Sequence, residues 1–180
     1  MQQTNTRRLL LGSIAAAAAA LLAPVAHAQT QPAKSVAVTA LVDHPALDAV
    51  RKGVEDELKA QGWIAGKNLK YQYQSAQGNA ATAGQIVRKF IGDKADAIVA
   101  IATPSAQAAA AATSSVPIVF SAVTDPVAAK LVKDLKAPGG NVTGVSDRLP
   151  LAPQVDLMLK VVPTAKRVGI VYSPGEINST

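Results

Sequence analysis

The chain has 180 residues, of which 49% are hydrophobic and 17% charged, and its formal net charge is +6. This balance is typical of a globular protein and excludes a disordered chain, and the scattered Lys and Arg residues form no basic stripe for nucleic acid. The absence of cysteine excludes disulfides, thiolate metal sites, cysteine nucleophiles and a lipid-modified N-terminal cysteine.

The N-terminus predicts a cleavable secretory signal peptide over residues 1–28. Arg7 and Arg8 form a positive region, residues 9–22 are apolar, and residues 26–28 read Ala-His-Ala, which is typical of a cleavage site. The apolar run is shorter than the roughly 20 residues that cross a membrane. An exported protein without cysteine is expected in the bacterial periplasm. We favour the general secretion route over the twin-arginine route, and the arginine pair is compatible with both.

Strand and helix patterns alternate along residues 34–146, which predicts an α/β lobe. The predicted strands are Ser35–Val42, Leu69–Gln74, Ala97–Ile101, Pro117–Phe120 and Asn141–Val145. The predicted helices run from Pro45 to Gln61, from Thr82 to Ile91, through the Ala-rich stretch that begins near Thr103, and from Val127 to Leu135. This alternation predicts right-handed crossovers and a Rossmann-like, doubly wound parallel sheet.

Two neighbouring predicted strands end in small polar clusters. Thr103-Pro104-Ser105 follows the strand Ala97–Ile101, and residues 121–125 follow the strand Pro117–Phe120. Parallel sheets bind ligands at the carboxyl ends of their strands. The sequence therefore predicts a ligand cradle at this edge of the sheet.

The alternation restarts after residue 146. Pro150–Val162 is predicted as a helix and Val168–Tyr172 as a hydrophobic strand. A lone strand cannot bury both of its faces. We therefore expect residues 147–180 to be a hinge crossing and the beginning of a second α/β lobe, most of which is missing from the chain.

Sequence motifs for catalysis are absent. The chain has no G-x-S-x-G, no G-x-x-x-x-G-K-[ST], no H-E-x-x-H and no G-x-G-x-x-G after a strand. Its two histidines are His27, which leaves with the signal peptide, and His44. We therefore expect no catalytic residues, no metal site and no cofactor, and predict that the chain is not an enzyme.

The start of the Ala-rich helix is the best candidate for ligand binding. Thr103 is predicted as its N-cap, with Pro104 at the first helical position. A helix N-terminus offers free N–H groups and a partial positive charge, so it suits a carboxylate, to which the hydroxyls of Thr103 and Ser105 would donate. Plain capping is the alternative interpretation of the same residues.

Three further polar residues have more than one interpretation each. Asp125 either caps the helix predicted after it or accepts a hydrogen bond from a ligand ammonium. Asp147 lies at the predicted hinge and either binds an ammonium, pairs with Arg148 or caps the next helix. His44 either points into the cleft or caps the first helix, a role that Asp43 could also fill.

Several blocks of the sequence resemble one known family. They are Asp43–Trp63, Ser75–Asn79, Ala102–Ala108 (ATPSAQA), Pro117–Val132 (PIVFSAVTDPVAAKLV), Pro138–Asp147 (PGGNVTGVSD) and Tyr172–Ser179 (YSPGEINS). The chain is similar to the substrate-binding proteins of ABC transporters, in the group that includes tryptophan- and tyrosine-type amino-acid binders. The blocks cover nearly all of the mature chain in the expected order.

This resemblance implies a type I periplasmic-binding-protein fold, with two lobes, a hinge and a ligand in the cleft between them. It also implies a monomer that delivers a small ligand, an amino acid or related carboxylate, to a membrane permease. In this chain Thr103 and Ser105 would bind the carboxylate and Asp147 the ammonium. The remaining ligand-binding positions implied by the family are His44, Ser121, Val123, Thr124, Asp125, Glu176, Asn178 and Ser179.

Two other hypotheses remain open at this point. One is an exported small-molecule enzyme on a Rossmann-like domain, with His44 and Asp125 as acid and base. The other is a non-functional fragment of a binding protein, in which the exposed strand Val168–Tyr172 would promote aggregation. The sequence does not identify the ligand.

Overall fold

Within residues 33–179, the range that the computed structural model describes, five strands alternate with helices. The strands are β1 (Lys34–Ala40), β2 (Leu69–Ser75), β3 (Ala97–Ile101), β4 (Ile118–Val123) and β5 (Val142–Ser146). The helices are α1 (Pro45–Ala60), α2 (Ala80–Gly92), α3 (Thr103–Ala112) and α4 (Leu151–Val161), and a short 3-10 helix spans Ile177–Ser179. The predicted signal peptide lies outside the described residues.

All five strands belong to one parallel sheet with the order β2-β1-β3-β4-β5. The predicted parallel α/β sheet is therefore confirmed. Ala40 at the end of β1 pairs with Ile101 at the end of β3, and Ile101 pairs with Ser121 in β4. The loops that follow β1, β3 and β4 consequently leave the same edge of the sheet side by side. The chain order reverses between β1 and β3, which is where such sheets form a crevice.

Alternate residues of the strands face opposite sides of the sheet, and each side is covered by different helices. On one side α1 packs against β1 and β3 through Leu47, Val50 and Val54, over Val38, Ala40, Val99 and Ile101. On the other side α2 and α3 cover Ala37, Ile98, Ala100 and Phe120. Small residues such as Ala106 and Ala109 are fully buried in α3, so this helix lies close to the sheet. Coverage on both faces is the usual requirement of a parallel sheet.

Gly144 allows β5 to approach β4 closely. A Cβ atom at this position would lie 2.1 Å from the carbonyl oxygen of Phe120, and the backbone φ of Gly144 is +157°. The pairing of β4 with β5 shifts register between Phe120 and Val123 at this point. No residue with a side chain fits here without moving one of the two strands.

The helix predicted at Val127–Leu135 is wrong. The chain forms successive turns in this segment, and Lys130 has a φ of 59°, which interrupts helical geometry. The apolar positions Ala129, Leu131 and Val132 are nevertheless buried. These three side chains therefore reach the core from a backbone that is not helical.

The strand predicted at Val168–Tyr172 is also wrong, because this segment has no regular structure and pairs with no strand among the described residues. Its apolar side chains are exposed, including Ile170 and Val171. The helix predicted before it is confirmed as α4, yet α4 buries none of its residues. A strand forms where a neighbouring strand can pair with it, and hydrophobic composition alone does not show whether such a neighbour is present. No helix within residues 33–179 has the length and apolarity needed to span a membrane.

Candidate functional site

The ends of β3 and β4 adopt an unusual backbone at the edge where the ligand cradle was predicted. Ala102 has a φ of 76° and Ala122 a φ of 53°, both in the left-handed region that residues with a Cβ rarely occupy. The N–H of Ala102 donates to the carbonyl of Ser121 at 3.0 Å, which ties the two strand ends together. Such strained residues persist where the surrounding structure fixes them, and they cluster at binding sites.

Helix α3 begins without a side-chain cap. Its N-cap is Ala102, and the first helical bond runs from the N–H of Ala106 to the carbonyl of Ala102 at 3.1 Å. The prediction that Thr103 is the N-cap is therefore wrong, because the left-handed turn at Ala102 places Thr103 already inside the helix. The backbone N–H groups of Thr103 and Ser105 have no acceptor among the described residues.

The side chains of Thr103 and Ser105 are buried at this helix start. Thr103 is 2% exposed and Ser105 is 0% exposed, and neither hydroxyl has a hydrogen-bond partner within the described part of the chain. Leaving a buried hydroxyl unpaired costs about 1–3 kcal/mol. Plain capping does not account for these hydroxyls, because neither of them caps α3.

Asp125 is already engaged within the protein. One carboxylate oxygen, Oδ1, accepts hydrogen bonds from the N–H groups of Val127 at 3.1 Å and Ala128 at 2.9 Å. The other, Oδ2, accepts from Nη1 of Arg148 at 3.2 Å. The structure thus shows Asp125 as a turn cap and an ion-pair partner.

Ser121 and Val123 of β4 contact opposite sides of the sheet, and Thr124 directly follows the strand. Ser121 borders an apolar cavity of about 500 Å³ on the α1 side of the sheet, together with Val99 and Val119. Val123 is fully buried in the core on the α2–α3 side. The carbonyl of Thr124 accepts a hydrogen bond from Oγ of Ser146 at 2.9 Å.

The predicted residues His44, which follows β1, and Asp147, which follows β5, have separate surroundings. His44 caps α1, because its Nδ1 accepts from the N–H of Ala46 at 3.2 Å. Asp147 is exposed, and its backbone N–H donates to the carbonyl of Val123 at 3.1 Å.

The C-terminal segment approaches the start of α3 through Glu176. Glu176 and Gly175 line a cavity of about 250 Å³ together with Leu41, Gly78 and Pro104. This cavity connects the loops that follow β1, β2 and β3. Asn178 is exposed, and Oγ of Ser179 accepts from the N–H of Ser173 at 2.6 Å. Glu176 is therefore the predicted C-terminal residue that shares a cavity with the α3 start.

One ordered carboxylate at this edge was not predicted as part of the site. Asp43 follows β1, and its Oδ1 accepts from the hydroxyl of Tyr73 at 2.8 Å while its Oδ2 accepts from Nε2 of Gln77 at 2.7 Å. These two bonds, that of Tyr73 first, lower the pKa of the Asp43 carboxyl below its ordinary value of 3.8. Burial and the bond to Asp43 raise the pKa of Tyr73 to about 12.

Comparison with known proteins identifies the family. Residues 35–180 match the family described as ABC transporter substrate binding protein. The chain belongs to this family. It is 46% identical over 146 residues to the tyrosine-binding protein of Clostridioides difficile (strain R20291), a match that covers 81% of this chain and 42% of that protein.

Solved structures lead to the same family. A conserved domain protein from Vibrio cholerae is 55% identical with a TM-score of 0.79, and the match covers 81% of this chain and 49% of that one. An ABC domain from Streptococcus pneumoniae in complex with L-Trp is 40% identical with a TM-score of 0.75, covering 80% and 48%. The chain therefore spans about half the length of these relatives, and its fold corresponds to one α/β lobe of a periplasmic binding protein.

The family membership confirms the resemblance that the sequence blocks indicated. Members of this family are substrate-binding proteins of ABC transporters and not enzymes. The exported-enzyme hypothesis, with His44 and Asp125 as acid and base, is not supported by the structure either, since both residues are engaged as caps.

Proposed function

We propose that this chain captures a small ligand, an amino acid or related carboxylate, at the carboxyl edge of its sheet. The observation that carries the proposal is the pair of buried, unpartnered hydroxyls of Thr103 and Ser105 at the uncapped start of α3. A ligand that accepts their hydrogen bonds would remove the cost of leaving them unpaired.

The chemistry of the α3 start favours an anion. The N–H groups of Thr103 and Ser105 lack acceptors among the described residues, and the helix dipole adds a partial positive charge at this end. Two hydroxyls and two N–H groups match the acceptor capacity of one carboxylate, which has about four lone-pair sites. Hydrogen bonds to a charged acceptor are also shorter and stronger than those between neutral groups.

The names of two relatives indicate which carboxylates to test first. One relative is a tyrosine-binding protein and another was solved in complex with L-Trp. We therefore infer that an aromatic L-amino acid is the ligand class of this chain, with its carboxylate at the start of α3.

The remaining parts of the proposal concern location and partners. The protein would be exported by its signal peptide at residues 1–28 and act in the periplasm as a monomer, where it delivers its ligand to the permease of an ABC importer. Residues 34–146 would form the first lobe, and residues 147–180 the hinge crossing and the start of a second lobe. Glu176, Asn178, Ser179 and Asp147 would contribute from that side, and ligand would favour a closed state.

Isothermal titration of the full chain tests the proposal. We expect saturable binding of L-tryptophan or L-tyrosine, and no binding of the corresponding amines that lack a carboxylate. Branched-chain amino acids serve as competitors that define the side-chain preference. If the folded chain gives no heat with any of these zwitterions, an amino-acid role is wrong.

A further inference from the structure

A second cavity lies at the amino end of the sheet, away from the start of α3. It has a volume of about 420 Å³ and is bordered by the last two turns of α1, the loop that follows this helix, and the first residues of β2. Leu69 at the start of β2 pairs with Lys34 at the start of β1, whereas the α3 start follows the carboxyl end of β3. Small-molecule sites typically enclose roughly 300–1,000 Å³, so this cavity is large enough to hold a ligand of its own.

The loop that forms one wall of this cavity is held in place by hydrogen bonds. The N–H of Ile64 donates to Oδ1 of Asn68 at 2.8 Å, and Nδ2 of Asn68 donates to the carbonyl of Gly62 at 3.0 Å. The N–H of Lys67 donates to the carbonyl of Ile64, also at 3.0 Å. A wall that is already ordered does not have to be fixed when a ligand binds, which lowers the entropic cost of binding.

Four apolar or aromatic residues line the cavity beside this loop. Trp63 is half-buried and Ile64 is 42% exposed, and they lie next to the buried Leu69 and to Tyr71. Scattered apolar residues on a surface need no explanation, but apolar and aromatic residues that converge on one concavity are typical of ligand sites. We therefore expect the apolar part of a ligand to pack here.

The two acids that line the cavity are already paired within the protein. Glu55 accepts from Arg51 at 3.0 Å, and Asp56 accepts from Lys52 at 2.5 Å. Each of these pairs joins residues four apart on α1, where the side chains are neighbours. The charges of the two acids are therefore balanced without a ligand.

The carbonyl groups at the end of α1 are also engaged. Three N–H groups that follow the helix donate to its last carbonyls: Gln61 to Glu57 at 2.9 Å, Gly62 to Lys59 at 3.0 Å, and Trp63 to Leu58 at 2.8 Å. The helix end therefore offers few acceptors to a ligand.

Two donors that line the cavity, in contrast, have no acceptor among residues 33–179. The ammonium of Lys59 forms no ion pair there, and the indole N–H of Trp63 forms no hydrogen bond. Unpaired donors beside paired acids favour a ligand that brings acceptor oxygens. A carboxylate is the simplest such group, and its hydrogen bond with an ammonium is among the strong ones.

We propose that this cavity is a second ligand site, which binds a small monocarboxylate with an apolar body. The carboxylate accepts from Lys59 and from the indole N–H of Trp63, and the body packs against Ile64 and Leu69. The site goes beyond the amino-acid site proposed above and does not depend on it, because the two lie at opposite ends of the sheet.

The fluorescence of Trp63 tests this proposal directly, because Trp63 is the single tryptophan of the chain. Hexanoate is the probe, since it has one carboxylate and an apolar body and does not itself fluoresce. Hexylamine and hexanol provide the opposite charge and no charge. Lys59→Gln removes the charge that lines the cavity, and Lys67→Gln removes the same charge from an exposed position on the adjoining loop. A Thr103→Val/Ser105→Ala double variant identifies hexanoate that binds at the α3 start instead.

We expect hexanoate to change the emission of Trp63 saturably, with affinities within about twofold for the wild-type chain, Lys67→Gln and the double variant. Lys59→Gln should bind hexanoate about tenfold more weakly or worse, because a hydrogen bond to a charged group is lost.

Three results would overturn the second site as an anion site. They are an unchanged hexanoate affinity in Lys59→Gln, binding of hexylamine or hexanol as tight as that of hexanoate, and a loss of the response only in the double variant. No change in Trp63 emission with hexanoate would overturn the second site while leaving the amino-acid site at α3 unaffected.

Discussion

Replacing Ser105 by Ala should change stability and binding in opposite directions. The Ser105 hydroxyl is fully buried and has no partner among the described residues, so its removal relieves a desolvation cost of about 1–3 kcal/mol. Part of this gain is offset by the small void that the missing oxygen leaves. We therefore expect the free energy of unfolding of the ligand-free chain to rise by about 1 kcal/mol.

The same substitution should weaken ligand binding. A hydrogen bond from a hydroxyl to a carboxylate contributes about 1.5–3 kcal/mol, which corresponds to an affinity loss of about 10- to 150-fold. Urea unfolding measures the first effect and calorimetric titration with L-tryptophan or L-tyrosine measures the second.

Ser35 provides a matched control for this experiment. Its hydroxyl is also buried and unpartnered within the described residues, but it lies at the amino end of β1, on the opposite edge of the sheet. Ser35→Ala should stabilise the chain to a similar extent and leave the affinity unchanged. If Ser105→Ala instead lowers the stability of the free chain and binds ligand as tightly as the wild type, the hydroxyl has a structural role and not a ligand-binding one.

Three further predictions concern the scaffold. Gly144→Ala should lower the free energy of unfolding by about 3 kcal/mol or more, because its Cβ would lie 2.1 Å from the Phe120 carbonyl oxygen; Gly53→Ala, which meets nothing within 4 Å in α1, should not destabilise. Equal urea midpoints for the two would contradict this. Asp96 accepts from the N–H of Ser35 at 2.7 Å and from Nζ of Lys34 at 3.2 Å, and these bonds lower its pKa below 3.8. The charged Asp96 carboxylate therefore stabilises the fold fully above pH 3.8, and this contribution is lost as the pH falls through its lowered pKa. The difference in free energy of unfolding between wild type and Asp96→Asn should consequently narrow from pH 5 towards about pH 2. A difference that stays constant in urea titrations over this pH range would argue against the hydrogen bonds of Asp96. His44→Ala should lower the free energy of unfolding by about 1 kcal/mol through loss of the α1 cap, and His44→Asn should restore it; equal stability of all three chains would exclude the cap.

The sheet was predictable from the sequence because its strands are short runs, either rich in β-branched residues or alternating, with turn residues near their ends. The predicted strand Ala97–Ile101 matches β3, and the predicted fifth strand differs from β5 by one residue at each end. The two wrong elements show where pattern reasoning stops. The segment Val127–Leu135 has helical periodicity, but the left-handed backbone at Lys130 stops the helix, and Val168–Tyr172 has strand composition but no strand beside it.

The candidate site was predictable only in part, because some of its contacts join residues that are far apart in the sequence. The rule that ligands bind at the carboxyl ends of parallel strands located Thr103 and Ser105, since both follow β3 directly in the chain. The partners of Asp43, however, are 30 and 34 residues away and reach it only through the pairing of β1 with β2. Nothing local in the sequence distinguishes Asp43 from a helix cap. The N-cap of α3 is Ala102 and not Thr103, because Ala102 has a left-handed backbone that alanine rarely adopts and that the sequence did not indicate.

In the function we propose, the start of α3 holds the carboxylate of an amino acid. Its most direct test is a calorimetric comparison of L-tryptophan with L-tryptophanamide, and of L-tyrosine with L-tyrosinamide, on the wild-type chain and on a Thr103→Val/Ser105→Ala double variant. We expect the wild-type chain to prefer the acid over the amide by at least tenfold and the double variant to lose this preference. Equal binding of acid and amide by the wild-type chain would contradict it.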